Sequence, residues 1–192
     1  MSRVKNYIHD IIIHVSDNET QTSQIAEIMK SYQAYKIQEF MNLKTFLRYQ
    51  YNNDLFTRVD ILVRKHTIEQ YLKNKDYNFA LYNKMQADRK ANATHNSQRF
   101  KNLIHSLKTS EFNMNYPIMY EGQYKLRDGS HRLAYLYFRK STFVCCSPLK
   151  FRVEGDKFCH YSIKWFKESK FSAEAIKILE NEISVLNTFM TQ

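Results

Sequence analysis

Five consecutive residues, Asp128, Gly129, Ser130, His131 and Arg132, set a carboxylate, a backbone without Cβ, a hydroxyl, an imidazole and a guanidinium side by side. Each has a use in handling a phosphorylated ligand. Arg132 offers a bidentate fork to phosphate oxygens, and His131 can donate a hydrogen bond or shuttle a proton. Ser130 can cap a helix or bond a phosphate oxygen. Asp128 could hold Mg²⁺ or accept the proton of an attacking hydroxyl. Gly129 permits a tight turn and lets a ligand approach the backbone. The competing reading is plain: Asp-Gly is only a turn and Ser-His-Arg only caps a helix, because such short patterns recur by chance.

The flanking residues must position this group. "QYKLR" precedes it with strand character, and Leu133, Leu136 and Tyr137 follow at helical spacing. The order is strand, sharp turn, helix, which presents unpaired N–H groups and a positive dipole end to an anion. All three glycines (122, 129, 155) and both prolines (117, 148) fall in one window, which reads as β. There "PIMY" and "QYKLR" flank Glu121-Gly122 as a tight hairpin, and "STFVCCSPLKF" supplies another strand. "RVDILVR" (58–64) alternates and is expected to be a further strand. Helical spacing is expected over 22–53, 67–89 and 97–110, the last with Phe100, Leu103, Ile104 and Leu107 on one face. Ser172 is the expected cap of a final helix whose stripe is Ile176, Leu179, Ile183, Leu186 and Met190. That stripe suits a docked core helix, with a homodimer seam as the alternative. The predicted fold class is α+β, with a small mixed sheet from 57–64, 117–127 and 141–153 and packed helices. Three parts follow: a helical N-terminal extension (1–56), a core (57–155) and a C-terminal helical segment (156–192).

Composition bounds the function. Of 192 residues, 43% are hydrophobic and 25% charged, as in a globular chain that buries a core. No apolar run approaches the roughly 20 residues that cross a bilayer. The N-terminus does not read as a signal peptide, so the expected location is the cytoplasm. Cys145, Cys146 and Cys159 are an odd set, and the first two are neighbours on a strand, facing opposite ways. They read as buried structural thiols rather than metal ligands. The net charge of +10 favours an anionic partner, yet the basic residues are scattered in runs of at most two. Nucleic acid is therefore permitted by the charge and not demanded by it.

The span "QRFKNLIHSLKTSEFNMNYPIMYEGQYKLRDGSHRLAYLYF" (98–138) resembles the ParB/sulfiredoxin-like superfamily in its helix, "PI" strand, second strand and Asp-Gly-x-His-Arg turn. Similar sequences, with segments like Tyr82, Met85 and Arg89 before the helix and Trp165, Phe166 and Phe171 after the core, look like proteins of bacterial surface-polysaccharide clusters. The resemblance implies a nucleotide ligand, ATP or ADP with Mg²⁺. Gly129, Ser130, His131 and Arg132 would cradle its phosphates, and Asp128 would be a catalytic or metal-facing acid with His131 beside it. Sulfiredoxins place a reactive cysteine where this chain has Ser130, so sulfinic-acid repair would lack its nucleophile. Chromosome-partitioning members carry a downstream helix-turn-helix that is not legible here. The free-serine kinases, with an Asp-Gly-His-His-Arg turn, match best; their catalytic glutamate follows the first strand, a region where this chain has Glu69. The expected function is a nucleotide-dependent kinase acting on a small hydroxyl-bearing metabolite or glycan. The alternatives are a nucleotide-binding regulatory module without catalysis and a ParB-like nucleic-acid binder. Arg89 and Arg99 lie before and within the helix that precedes the "PI" strand, and at least one is expected to face the nucleotide or acceptor.

Overall fold

The computed structural model describes residues 38–89, 93–109, 116–149 and 161–191. β1 (Glu39–Asn42) runs straight into α1 (Leu43–Arg48), because the Asn42 side chain accepts from Lys44 N at 2.9 Å and Thr45 N at 3.3 Å. This is the side-chain cap that starts a helix without glycine or proline. A hairpin of β2 (Tyr51–Asn52) and β3 (Leu55–Phe56) leads to α2 (Val59–Lys73), α3 (Ala80–Asp88) and α4 (Ala93–Thr109). β4 (Ile118–Glu121), β5 (Lys125–Asp128), α5 (Ser130–Phe138) and β6 (Phe143–Pro148) follow, then α6 (Ile163–Glu168) and α7 (Ala173–Thr191).

The main sheet has four strands in the order β1-β6-β4-β5. β6 runs parallel to β4, while β1 with β6 and β4 with β5 are antiparallel. The fold is thus α+β with a small mixed sheet. The β4–β5 hairpin and the β6 strand lie where the sequence predicts them, with Gly122 (φ 54°) and Tyr124 (φ 55°) turning the hairpin. Tyr120 and Tyr124 both donate to the Glu39 carboxylate, at 2.7 and 3.2 Å, which ties that hairpin to β1. Leu133 and Ala134 of α5 and Ile61, Leu62 and Ile68 of α2 are fully buried, and these two helices form the largest helix pair. α7 docks its Leu179 and Leu186 on α2 and α1 of the same chain, with Ser172 Oγ accepting from Ala175 N at 3.2 Å.

Three expectations need correction. Residues 58–64 are the start of a helix, α2, and not a strand. Their alternation misleads because Arg58, Asp60 and Arg64 are buried along with Val59, Ile61, Leu62 and Val63. Polar residues there do not mark a solvent face, since the helix is enclosed all round over its first turns. The helical reading of 22–53 lies outside the described residues up to 37; beyond that the chain is β1, α1 and a hairpin strand. β1 belongs to the main sheet, so the sheet-bearing part begins before residue 57. The stretch 67–89 is two helices, because Asn74 and Asn78 turn the chain between them. Their side chains accept from Asp76 N and Ala80 N, both at 3.0 Å, and Phe79 takes a left-handed φ of 58°. Asparagine turns of this kind do the work usually read from glycine.

Cys145 and Cys146 are both buried, and burial pushes both thiols up, Cys146 to about 12 with the Glu39 charge adding to it. Cys159 and Gly155 lie outside the described residues. Among the described residues no helix is long and apolar enough to cross a membrane.

The two described glycines should respond differently to alanine. Gly122 has open space where a Cβ would go, whereas at Gly129 (φ 89°) a Cβ would lie 2.8 Å from Ile118 Cδ1 and 3.3 Å from Ile118 Cα. Gly122→Ala should cost about 1–2 kcal/mol, the left-handed penalty alone. Gly129→Ala should cost roughly 1–3 kcal/mol beyond that, from overlap with β4. Urea unfolding of both variants measures the difference, and equal losses would contradict it.

Candidate functional site

The turn is built by packing. β5 ends at Asp128, and Gly129 crosses over Ile118 of β4 in a conformation that a side chain would block. Gly129 itself is the N-cap, and no side chain caps α5, so Ser130 does not serve as the cap. The first helical bond runs from Leu133 N to Gly129 O at 2.8 Å. The N–H groups of Ser130 and His131, and the Ser130 hydroxyl, have no partner among the described residues. A helix start of this kind carries a positive field and donors for an anion.

Arg132 lies along the turn. Its Nη1 donates to Tyr116 O, and its Nη2 sits 3.6 Å from Asp128 Oδ2. The Asp128 side chain is 77% exposed and that of Arg132 17%, so the carboxylate stands at the mouth of the site and the guanidinium at its wall. His131 is half-buried. Its Nε2 lies 2.8 Å from the Tyr82 hydroxyl, which accepts from Gln86 Nε2 at 2.8 Å. The Phe100 ring meets it edge-on with centroids 4.6 Å apart. Burial, and then the charge of Arg64, push the imidazole well below 6.5; Asp60 opposes this, and Arg89 and Arg132 add to it. His131 is therefore neutral at pH 7, suited to hydrogen bonding more than to proton shuttling.

The sequence reading missed the layer beneath. Asp60 is fully buried at the start of α2. Arg58 Nε and Nη2 donate to its two carboxylate oxygens at 2.8 and 2.9 Å, and Arg64 Nη1 donates to Oδ2 at 2.8 Å. Arg58 Nη1 also donates to Leu126 O of β5 at 2.8 Å, which links α2 to the strand that carries the turn. The guanidiniums hold the Asp60 carboxyl far below its usual range against the cost of its burial. Arg64 is 1% exposed, and its Nε is buried with no hydrogen-bond partner. Read as a helix, Asp60 and Arg64 are an i,i+4 pair inside an apolar run, and that was the available signal.

Of the two upstream arginines, Arg89 joins the cluster. It follows α3, its guanidinium lies over the Tyr161 ring at 4.6 Å, and its charge acts on Asp60, Arg64, Tyr82 and His131. Arg99 is an exposed residue of α4 at the rim; its charge acts on Tyr82, and it has no ion-pair partner among the described residues. Glu69 does not join. It is paired with Lys65 and Lys73 at 2.9 Å each and lines a cleft of about 680 Å³ between α2 and α7.

Comparison of the chain with protein-family models, curated proteins and solved structures finds no match. The site must be read from its own chemistry. Among the described residues, Arg58, Arg64, Arg89 and Arg132 lie near two carboxylates, Asp60 and Asp128, and Arg58 and Arg64 already occupy the first. The guanidiniums, the N–H groups without a partner among the described residues and the Ser130 hydroxyl suit a ligand with several negative charges. Among the described residues no three His, Cys, Asp or Glu side chains converge as a metal site. Among the described residues of the turn, Asp128 is the carboxylate that could contribute an oxygen ligand.

The depressed His131 basicity makes a prediction about stability. The unfolded chain takes up a proton at this residue as pH falls through about 6.5, and the folded chain does not. The contribution is fully present above pH 6.5 and is lost below it. Wild-type stability should fall by about 1.4 kcal/mol per pH unit from this residue as pH drops toward 5. His131→Gln should flatten that slope. Equal slopes in denaturant titrations of the two proteins would contradict the neutral imidazole.

Proposed function

We propose that this chain binds a nucleotide through its phosphates at the turn from Asp128 to Arg132 and transfers a phosphoryl group to a hydroxyl-bearing acceptor. The observation that carries the reading is the gathering of Arg64, Arg89 and Arg132 around the open first turn of α5. The Asp-Gly-Ser-His-Arg turn also resembles the Asp-Gly-His-His-Arg turn of the free-serine-kinase branch of the ParB/sulfiredoxin-like superfamily.

Phosphoryl transfer asks a protein mainly for positioning and charge stabilisation. In this reading the N–H groups of Ser130 and His131, the Ser130 hydroxyl and Arg132 hold the terminal phosphate oxygens, and Arg89 and Arg99 meet the rest of the ligand. The acceptor oxygen attacks the terminal phosphorus, and the bond to the bridging oxygen breaks with its electron pair leaving on the diphosphate. Asp128, exposed beside the turn, receives the acceptor's proton. Mg²⁺ on a nucleotide commonly takes one or two carboxylates with its remaining ligands from phosphates and water, and Asp128 would be that single carboxylate in the alternative where it holds the metal instead of receiving the proton. The acceptor class is a small polyol, amino acid or sugar, including a glycan of a surface-polysaccharide pathway.

A second reading has its own support. Glu69 is ion-paired away from the turn and Asp60 is saturated by arginines, so Asp128 is the one available carboxylate described at the site. A nucleotide-binding regulatory module without catalysis needs nothing more than this.

Two variants test the assignment. Arg132→Ala should weaken ATP or ADP binding by about 10-fold to 100-fold, the worth of about 1.5–3 kcal/mol for a hydrogen bond to a charged group. Calorimetry showing unchanged affinity would remove Arg132 from the phosphate site. Asp128→Asn should keep the affinity and lower turnover by about 10²–10⁴-fold. The assay is ATP consumption against a panel of sugars, polyols and serine. Full activity in the Asn variant would end the catalytic role of Asp128. Wild-type binding without turnover on any acceptor would favour the regulatory module, and a thermal shift with oligonucleotides alone would favour neither.

A further inference from the structure

We propose that Gln86 and Tyr82 form a hydrogen-bond relay that fixes His131 as its Nδ1–H tautomer, so that the imidazole meets the bound phosphate as a neutral donor. The inference deepens the phosphate-site reading above and rests on it for the identity of the ligand.

The direction of the relay follows from what each atom can do. Gln86 Nε2 carries only donors, and it donates to the Tyr82 oxygen at 2.8 Å. The Tyr82 hydroxyl has one hydrogen, and its other polar neighbour is His131 Nε2, also at 2.8 Å. That hydrogen therefore points at Nε2, which must be unprotonated to accept it. A neutral imidazole with a bare Nε2 carries its proton on Nδ1. An unconstrained imidazole in water favours the opposite form, so the relay imposes a choice.

The surroundings keep the ring neutral and fixed. Tyr82 is fully buried and Gln86 nearly so, and the rings of Phe100 and Tyr82 flank the imidazole with centroids 4.6 and 5.7 Å away. The charges that face it are Arg64 and Asp60 from α2, Arg89 after α3, and Arg132 on its own helix. Three of the four oppose a second proton, and the carboxylate is occupied by Arg58 and Arg64. Nδ1 has no hydrogen-bond partner among the described residues. It is also not among the fully sealed, unpartnered side-chain atoms of the described residues, which are Arg64 Nε and Tyr137 Oη. This donor belongs to the second residue of α5, beside the N–H groups that await the anion.

A neutral donor has a functional consequence. The guanidiniums already supply the charge, and a neutral imidazole adds a directional contact whose strength does not change between pH 6 and 8. Tyr82 and Gln86 are thus positioning residues that act through His131.

The test is nitrogen-15 spectroscopy of the imidazole side chains in the ligand-free full chain at pH 7, repeated with sulfate and with ATP. Sulfate is the probe of choice because its charge is constant over this pH range. The expected wild-type signal is a protonated Nδ1 and a bare Nε2 on His131, with Nδ1 moving as sulfate or ATP is added. Sulfate affinity should be flat from pH 6 to 8. Tyr82→Phe should shift the ring toward the Nε2–H form and weaken sulfate binding about 2-fold to 10-fold, the range of one neutral hydrogen bond. Gln86→Glu turns the inner donor into an acceptor, reverses the Tyr82 hydroxyl and should switch the tautomer without removing an aromatic ring. A wild-type ring protonated on Nε2 or on both nitrogens overturns the relay. So does a His131 signal that stays still while sulfate or ATP saturates the protein. A protonated Nδ1 in a chain that binds neither anion would support the relay and overturn the phosphate-site reading alone.

Discussion

The fully buried carboxylate of Asp60 is the constraint on which the site depends. Ionised, it holds two guanidiniums, and each does a second job. Arg58 reaches across to the Leu126 carbonyl and so fixes where β5 delivers the turn. Arg64 lies sealed beneath the site and supplies positive potential that no solvent screens. Breaking such a cluster by removing its anion leaves buried cations uncompensated, a loss of about 3–5 kcal/mol in other proteins. The same carboxylate thus secures the α2–β5 junction and sets the electrostatics above it.

From that junction upward the chain uses position more than reactivity. Gly129 lets α5 begin directly over Ile118, and the N–H groups of Ser130 and His131 have no partner among the described residues. Arg89 is braced on the face of Tyr161, and Arg132 is held by Tyr116 O and the neighbourhood of Asp128. Aromatic rings line the inner side of His131, where burial and like charges keep it neutral. Electrostatic preorganisation of this kind costs nothing at the moment a ligand binds, because the dipoles and charges are already aimed.

Much of this was legible in the sequence, and the exceptions share a cause. The strand-turn-helix around Asp128–Arg132 was readable because glycine, the alternating "QYKLR" and the spacing of Leu133, Leu136 and Tyr137 agree with one another. The hairpin at Gly122 and the capped final helix were readable for the same reason. Residues 58–64 were not, because a pattern argument assumes that polar residues face water, and here Arg58, Asp60 and Arg64 face one another inside. The breaks at Asn42, Asn74 and Asn78 were hidden because asparagine side chains, rather than glycine or proline, redirect the backbone. The relay through Gln86 and Tyr82 joins segments far apart in the chain, and no local spacing announces it.

The adjacent thiols of β6 carry a different lesson. Cys145 and Cys146 point to opposite faces of a central strand, both closed off and both held in the unreactive protonated form. A thiol reagent can meet either only when the surroundings of that strand open. The rate at which the pair is alkylated therefore times the opening of the sheet's interior, one thiol for each face. The chain thus carries its own two-sided clock of native-state breathing, with the reporting thiols already in place.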